Sequence, residues 1–218
     1  MTGRPAAAQG VSPPFVAPDQ QSQAQHLGMW VFLVTEVLFF GGLFVCYTVY
    51  RWHYPEAFAA GSQHLNAGIG GINTALLLTS SLCVALGDRA IKLGQRRALG
   101  WCLAIAWVLG AAFLAIKGHE YALKAHEHLI PGPHFQSDDP HAPQVQLFMV
   151  LYFAMTGLHA LHMIIGLGAL AWLGWRLHCG RLNRQQHAPV EIVGLYWHFV
   201  DVVWVFLYPL LYLVGPSG

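Results

Sequence analysis

Charged residues are scarce in this sequence. Asp, Glu, Lys and Arg make up 10% of its 218 residues, whereas apolar residues make up 56%. A soluble domain carries about 25% charged residues, so this composition excludes an ordinary soluble domain and predicts a membrane protein. The formal net charge is +1, with neither a basic patch nor an acidic tail. This balance excludes nucleic acid and strongly charged proteins as partners.

Closely spaced cysteine pairs are also absent. No Cys-x-x-Cys pair occurs among the four cysteines, which are Cys46, Cys83, Cys102 and Cys179. Three of them lie inside apolar runs, where thiols act as small hydrophobic groups. We therefore interpret the four as packing residues rather than as metal ligands or a disulfide framework.

The first 26 residues lack the features of a secretory signal. They are rich in Pro, Gln and Ala, and they have neither a basic start nor an apolar central region. We expect residues 1–26 to form a flexible N-terminal tail.

Five apolar segments are long enough to cross a bilayer, whose core of about 30 Å requires roughly 20 helical residues. A backbone in lipid must satisfy its own hydrogen bonds, so each segment is predicted to be helical. The sequence thus predicts an all-α integral membrane protein, a bundle of five transmembrane helices within residues 27–218. The predicted helices cover about 27–50, 68–87, 98–116, 147–175 and 192–214. An odd number of spans without internal repeats argues against a secondary transporter.

The positions of Lys and Arg predict the orientation. If the five spans alternate, eight of the basic residues lie on the side of the N-terminal tail: Arg4, Arg89, Lys92, Arg96, Arg97, Arg176, Arg181 and Arg184. The other side receives Arg51, Lys117 and Lys124. Because basic residues are retained on the cytoplasmic side, we expect a cytoplasmic N-terminus and a periplasmic C-terminus.

The fifth segment carries two polar residues in the stretch YWHFVDVVWVFLY, Tyr196 to Tyr208. At helical spacing His198 and Asp201 share one stripe, flanked by Trp197 and Trp204. A charged side chain at the bilayer centre costs at least ~2.5 kcal/mol. We therefore predict that His198 and Asp201 face other helices rather than lipid.

The first segment carries a single intramembrane carboxyl, Glu36. Helical spacing places Phe32, Phe39 and Phe40 around it. Two interpretations stay open: an interhelical hydrogen bond that fixes packing, or a group that handles protons or a ligand.

Histidines form two further groups. His159 and His162 lie three residues apart on one face of the fourth segment, whereas a bis-histidine haem requires ligands from facing helices. A polar packing contact or a lipid head-group contact fits this spacing better than haem or copper. Five more histidines follow the third segment without the spacing of a zinc site, and we expect them in a solvated loop: His119, His126, His128, His134 and His141.

Three stretches together resemble one known family. HLGMWVFLVTEVLFFGGLF, TGLHALHMIIG and YWHFVDVVWVFLY are similar to the cytochrome c oxidase subunit III family of haem-copper oxidases. The resemblance covers about Leu27 to Val214. This sequence lacks the two N-terminal helices of the long family members. In this it is similar to the five-helix versions found in bacteria, including those of some quinol oxidases and nitric-oxide-reductase companions.

The resemblance implies a subunit of the bacterial cytoplasmic membrane that carries no redox centre or metal. Haem and copper would lie in the catalytic subunit I, its direct partner, with subunit II and small subunits as further partners. The implied role in aerobic respiration is to steady subunit I, hold phospholipid and support proton uptake during oxygen reduction. Cytochrome c is the expected electron donor. The alternatives are subunit III of a quinol oxidase and a nitric-oxide-reductase companion protein.

The resemblance also assigns residues. It matches Glu36 to the family's intramembrane glutamate, His159 and His162 to its paired histidines, and Arg176 to the basic residue that ends that helix. A physical argument also supports a lipid-binding role for Arg176. A guanidinium at the end of a span binds a lipid phosphate through paired hydrogen bonds, and Trp172 and Trp175 would lie at head-group level.

Glu36 requires a hydrogen-bond donor among its phenylalanines, and we predict that a histidine of the fourth helix supplies it. Counting residues inward from Trp175 places His162 closer than His159 to the depth of Glu36 in the membrane. The resemblance favours His159, which is the partner that we expect.

Overall fold

The computed structural model describes residues 18–127, 129–132, 140–182 and 187–213. Over these residues the chain forms six helices and no strand: α1 (Pro18–His53), α2 (Pro55–Gln63), α3 (Ala67–Lys92), α4 (Arg96–His126), α5 (Ala142–His178) and α6 (Ala188–Tyr212). All except α2 are long and apolar enough to cross a membrane. The predicted all-α fold with five candidate spans is confirmed.

The helices extend beyond the predicted segments. Helix α1 begins at Pro18, so the prediction of a flexible tail is wrong for residues 18–26; residues 1–17 lie outside the described part. Helix α4 continues to His126 rather than ending near residue 116. The apolar run stops at Lys117, but the helix does not, because Lys117 is buried inside the bundle. The last helix ends at Tyr212, and Val214 lies outside the described residues.

Four helices form the bundle and two are added to it. Helix α4 packs between α3 and α5, and α6 packs between the same two helices on the other side. Helix α1 lies outside this ring against α5 and α6, while the short α2 contacts α5, α1 and α6. Every polar side chain that α6 directs toward α3 or α5 therefore points into protein.

The breaks between helices follow from local chemistry. Pro55 occupies the first turn of α2, and the Asn66 side chain caps α3 by accepting hydrogen bonds from Gly68 N and Ile69 N. Gly94 and Gly180, after α3 and α5, have φ of 76° and 73°. Each ends its helix in a Schellman turn, which only a residue without a side chain adopts at low cost.

These turns bring the ends of several helices together at one end of the bundle. Arg96, at the start of α4, donates to the Leu177 carbonyl near the end of α5. Lys92 of α3 pairs with Glu191 of α6 at 2.7 Å, and His26 of α1 lies 3.4 Å from the same carboxyl group. We call this the basic end, because it carries Arg89, Arg96, Arg97, Arg176 and Arg181.

A buried tryptophan holds α6 at a short distance from its neighbours. A Cβ placed on Gly110 of α4 or on Gly166 of α5 would lie within 3.0 Å of the Trp197 ring. Trp197 Nε1 donates to Ser80 of α3, at 3.1 Å. The register of α6 is thus set from three sides, and this places its polar stripe against α3.

Candidate functional site

A buried ion pair joins three helices toward the end opposite the basic end. Lys117 Nζ donates to Glu120 Oε2 at 3.1 Å, to Tyr152 Oη at 3.0 Å and to Tyr212 Oη at 2.7 Å. Both tyrosine hydroxyls donate to Glu120 Oε1, at 2.8 and 2.7 Å. All three N–H donors of the ammonium are therefore used, and Tyr152 and Tyr212 link α4 to α5 and α6.

Aromatic rings complete the surroundings of this ammonium. Lys117 Nζ lies 5.1–5.5 Å from the ring centroids of Tyr121, Tyr152, Trp204 and Tyr212. Such distances are favourable for cation–π attraction, which is strongest where water is excluded. We call Lys117, Glu120, Tyr152 and Tyr212 the α4 ion-pair network.

The sequence-based placement of the two lysines was wrong. Lys117 and Lys124 were expected in an outer loop, but both lie in α4 and are buried. Lys124 donates to the backbone carbonyl of His64, between α2 and α3. A lysine side chain can be buried in a helix bundle when hydrogen-bond acceptors surround its ammonium group. The acceptors of Lys117 and Lys124 include groups on other helices and loops, which a hydropathy count along the sequence does not identify.

The polar stripe of α6 faces another helix rather than lipid, as predicted, and that helix is α3. Ser81 Oγ of α3 lies 2.5 Å from His198 Nδ1, so a direct side-chain contact holds His198 against α3. Asp201, on the same stripe, is 5% exposed.

Glu36 pairs with His162 and not with His159. Glu36 Oε2 lies 3.2 Å from His162 Nε2, so the choice of His159 was wrong and the depth count was right. His162 Nδ1 lies 2.8 Å from the Leu158 carbonyl, which only accepts, so Nδ1 carries a proton. A hydrogen bond between Nε2 and the carboxyl group then requires one further proton, which the two side chains share.

His159 has different surroundings. It is 1% exposed and packs against the rings of Phe113 and Trp204. Neither of its ring nitrogens has a hydrogen-bond partner within the described part of the chain. A buried imidazole without a partner is unusual, and one helical turn separates it from the Glu36–His162 pair.

Arg176 lies in a cavity near the basic end. The cavity has a volume of about 420 Å³ between α1, α5 and α6, and its lining includes Gln25, Trp172, Arg176 and Ile192. The guanidinium stacks on the Trp172 ring at 4.9 Å. Trp175, grouped with them from the sequence, is instead covered by Arg181 at 5.6 Å and does not line this cavity.

The remaining histidines and cysteines form no site in the described ranges. His119 and His126 belong to α4, contrary to the expected loop, and His141 occupies the position just before the first residue of α5. His128 and His134 fall outside the described residues. No group of three His, Cys, Asp or Glu side chains that could hold a metal occurs in the described part. Cys179 is exposed at the end of α5, so its interpretation as a packing residue was wrong.

The shared proton leads to a first prediction. We expect Glu36→Gln to leave this subunit attached, because the amide N–H can donate to neutral His162 Nε2. Glu36→Leu leaves that nitrogen unpaired, at a cost of about 1–3 kcal/mol. The measurement is the fraction of this chain retained in its complex in mild detergent. Equal retention of the two variants would show that the pair adds nothing to stability.

Comparison with known proteins gives a consistent result. The family model described as "Cytochrome c oxidase subunit III" matches residues 18–216. The chain is 33% identical to cytochrome c oxidase subunit 3 of Thermostichus vulcanus over 189 residues, which cover 86% of each protein.

Two further relatives carry different names. The chain is 28% identical to cytochrome bo(3) ubiquinol oxidase subunit 3 of Pseudomonas putida, covering 88% of this chain and 87% of the relative. It is 32% identical to heme-copper oxidase subunit I+III of Aeropyrum pernix, and this alignment covers 85% of this chain but 22% of the relative. The similarity therefore extends to proteins that carry two subunits in one chain.

Proposed function

Because the chain belongs to the cytochrome c oxidase subunit III family and is a subunit III of a haem-copper oxidase, we propose that it serves a cytochrome c-oxidising complex. Its contribution is to stabilise catalytic subunit I, hold phospholipid and support proton uptake. The match over nearly the whole described chain, with the relatives' names, is the observation that carries this function. Haem and copper reside in the partner subunits, and subunit II and small subunits complete the assembly.

Subunit I is the direct partner. The relative from Aeropyrum pernix, named subunit I+III, supports this assignment because it joins the two subunits covalently. The test is to solubilise the membrane mildly, capture the tagged chain and analyse the associated proteins. We expect larger chains that contain haem and copper. Recovery of the chain alone, under conditions that keep other oxidase subunits together, would contradict the proposal.

Proton support is assigned to the intramembrane polar residues. Glu36 and His162 share a proton across α1 and α5, and His159 lies one turn away. His198 and Asp201 form the second polar group, between α6 and α3. Each group lies at a helix interface within a membrane span, where a polar side chain is costly unless it has a partner or a function.

The proposed orientation places the basic end in the cytoplasm. Arg89, Arg96, Arg97, Arg176 and Arg181 all lie there, and retention of basic residues on the inner side then makes the N-terminus cytoplasmic and the C-terminus periplasmic. The proposed location is the bacterial cytoplasmic membrane. Lys117 and Lys124 no longer count toward the outer side, because both are buried, but the asymmetry becomes larger without them.

Phospholipid is assigned to the cavity at Arg176. A phosphate at the mouth would meet the guanidinium, which Trp172 already holds in place. The apolar lining from Met29, Ile192 and Val193 suits the first carbons of an acyl chain. Trp172 and Trp175 are both about half exposed, as expected for aromatic residues at head-group level.

A second prediction tests this lipid site. We expect Arg176→Ala to lower the number of phospholipids that copurify with the complex, by about one per complex. Arg181→Ala is the matched control, because that guanidinium stacks on Trp175 outside the cavity. Native mass spectrometry of the two variants gives the count. An equal loss in both would assign the lipid to general surface charge rather than to this cavity.

Quinol oxidation is the second candidate for the complex. The relative from Pseudomonas putida is a ubiquinol oxidase subunit and covers as much of this chain as the cytochrome c oxidase relative does. The purified complex distinguishes the two, because the cytochrome c enzyme oxidises reduced cytochrome c and the quinol enzyme does not.

A further inference from the structure

A narrow apolar groove lies between α4 and α5, close to the basic end. Its volume is about 300 Å³. Four small residues form its two walls, Gly100 and Ala104 on α4 and Ala171 and Gly174 on α5. We call it the α4–α5 groove. Because Ala104 and Ala171 are exposed, the groove is open along the surface that a membrane would cover.

The α4–α5 groove is separate from the cavity at Arg176. Trp172 and Arg176 line that cavity from α5, together with residues of α1 and α6. Ala171 and Gly174 line the α4–α5 groove from the same helix, together with residues of α4. Helix α5 therefore carries two cavities near the basic end, on different sides of the helix.

The dimensions of the groove fit a hydrocarbon chain. Its wall from Gly100 to Val108 rises ~12 Å along α4, which is most of the ~15 Å that one leaflet contributes to a bilayer core. Over this length the volume of about 300 Å³ corresponds to a cross-section of ~25 Å². A helix is ~10 Å across with its side chains and occupies ~80 Å², so it is too wide to enter. The buried side chains of Leu103 and Leu170 form an apolar floor.

A guanidinium group bridges α4 and α5 at the basic end of the groove. Arg96 lies one turn before Gly100, and its Nη2 donates to the carbonyl of Leu177, 3.1 Å away and one turn after Gly174. This hydrogen bond holds Arg96 across both walls, but it uses only one of the five N–H donors of the guanidinium. Since Arg96 is exposed, its other donors are accessible to a ligand at the membrane surface.

The first turn of α4 adds positive potential at the same place. Helix α4 begins at Arg96, with Arg97 beside it, and the backbone N–H groups of a first turn carry a partial positive charge. The side chain of Gln95 does not cap this turn. Two guanidinium groups and a helix N-terminus together favour a phosphate group.

We infer that the α4–α5 groove binds a phospholipid, with its phosphate at Arg96 and one acyl chain between the small residues of the two helices. The positive and apolar parts of the site are one helical turn apart, in the order in which a phospholipid carries its phosphate and its chains. This molecule is additional to the phospholipid proposed at Arg176. The small residues have a definite role in the site, because larger side chains at their positions would fill the groove.

Gly174→Leu tests the chain-binding part. A Cβ at Gly174 meets no atom within 4 Å, so the fold accommodates the leucine while the groove is filled. Gly168→Leu is the matched control, because Gly168 has the same open space on the same helix and does not line the groove. Native mass spectrometry of the intact complex counts the copurifying phospholipids and identifies them by mass. We expect Gly174→Leu to lose one phospholipid per complex and Gly168→Leu to lose none.

Arg96→Ala tests the phosphate-binding part. We expect it to lose the same phospholipid, whereas Arg89→Ala, which removes an exposed arginine of the basic end on α3, should keep it. Combining Arg96→Ala with Gly174→Leu should remove one phospholipid rather than two, because both changes act on one molecule. Combining Arg96→Ala with Arg176→Ala should remove two. If Arg176→Ala alone removes none, the site proposed at Arg176 fails while the α4–α5 groove stands.

Three results would overturn the inference. The first is an unchanged phospholipid count in Gly174→Leu. The second is loss of a protein chain instead of a phospholipid, which would make the groove a contact for a partner helix. The third is loss of two phospholipids when Arg96→Ala and Gly174→Leu are combined, which would mean that Arg96 and the groove hold different molecules. If Gly174→Leu does not assemble, equal phospholipid counts in Arg96→Ala and Arg89→Ala would still refute the site.

Discussion

Lys117→Met is expected to destabilise the chain by about 3–5 kcal/mol, the usual cost of removing one partner from a buried ion pair. The substitution keeps most of the side-chain volume and removes the charge. Glu120 would then be a buried carboxylate, 7% exposed, supported only by the two tyrosine hydroxyls. Because those hydroxyls belong to α5 and α6, the loss weakens the contact of three helices at once.

A double variant separates the charge from the shape. Lys117→Met combined with Glu120→Gln leaves no net charge in the network, and the amide oxygen still accepts from Tyr152 and Tyr212. We expect it to recover more than half of the loss, since replacing both charges of a buried pair costs far less than breaking it. Chemical denaturation of the full-length chain in detergent gives the free energies.

Lys92→Met is the matched control. Lys92 also pairs with two carboxylates, but its side chain is 46% exposed, and exposed ion pairs contribute less than about 1 kcal/mol. A loss at Lys117 no larger than that at Lys92 would mean that water reaches the α4 ion-pair network. The network would then not stabilise the packing of α4, α5 and α6 as its geometry indicates.

The sequence was sufficient to predict the membrane spans and the polar residues that share one face of α6. Helix length and apolar composition follow directly from bilayer thickness, so all five candidate spans were found. The stripe of His198 and Asp201 was also correct, because helical periodicity determines which residues of α6 share a face. Which neighbour this face meets was not predictable, and Ser81 carries no signal of its own in an apolar run.

The α4 ion-pair network was missed for a physical reason. A charge at the end of an apolar run marks a membrane boundary in most proteins, and Lys117 was interpreted in that way. Only the arrival of Tyr152 and Tyr212 from α5 and α6 makes burial of the lysine favourable. The Lys117–Glu120 spacing of three residues was a usable signal, because side chains at that spacing meet on one helix face.

The choice between His159 and His162 shows the limit of resemblance. The two residues lie one turn apart on α5, and a family match does not determine which of them faces α1. Depth did so correctly, because Glu36 pairs with the histidine at its own level. His159 faces Phe113 and Trp204 in the core instead.

Removing this chain from the oxidase is expected to leave the haem spectrum unchanged and to make activity fall progressively during turnover. The spectrum should persist because the proposed function places haem and copper in the partner subunits, whereas Glu36–His162 and Lys117–Glu120 are pairs within this chain. Activity should start near the normal rate, since the catalytic centres remain. It should then decline severalfold faster than in the intact complex, because under the proposed function subunit I loses a stabilising neighbour together with its lipid and proton supply.

The decline can be assigned to a cause by adding variants back to the depleted complex. The wild-type chain should restore a constant rate. If lipid is the cause, Arg176→Ala should fail to restore it and Asp201→Asn should succeed; if proton supply is the cause, the reverse should hold. Activity is followed as oxygen consumption over many turnovers, with the haem absorbance recorded in the same sample. Loss of the haem spectrum at the moment of depletion would contradict the prediction, because it would require a direct part for this chain in holding the cofactors.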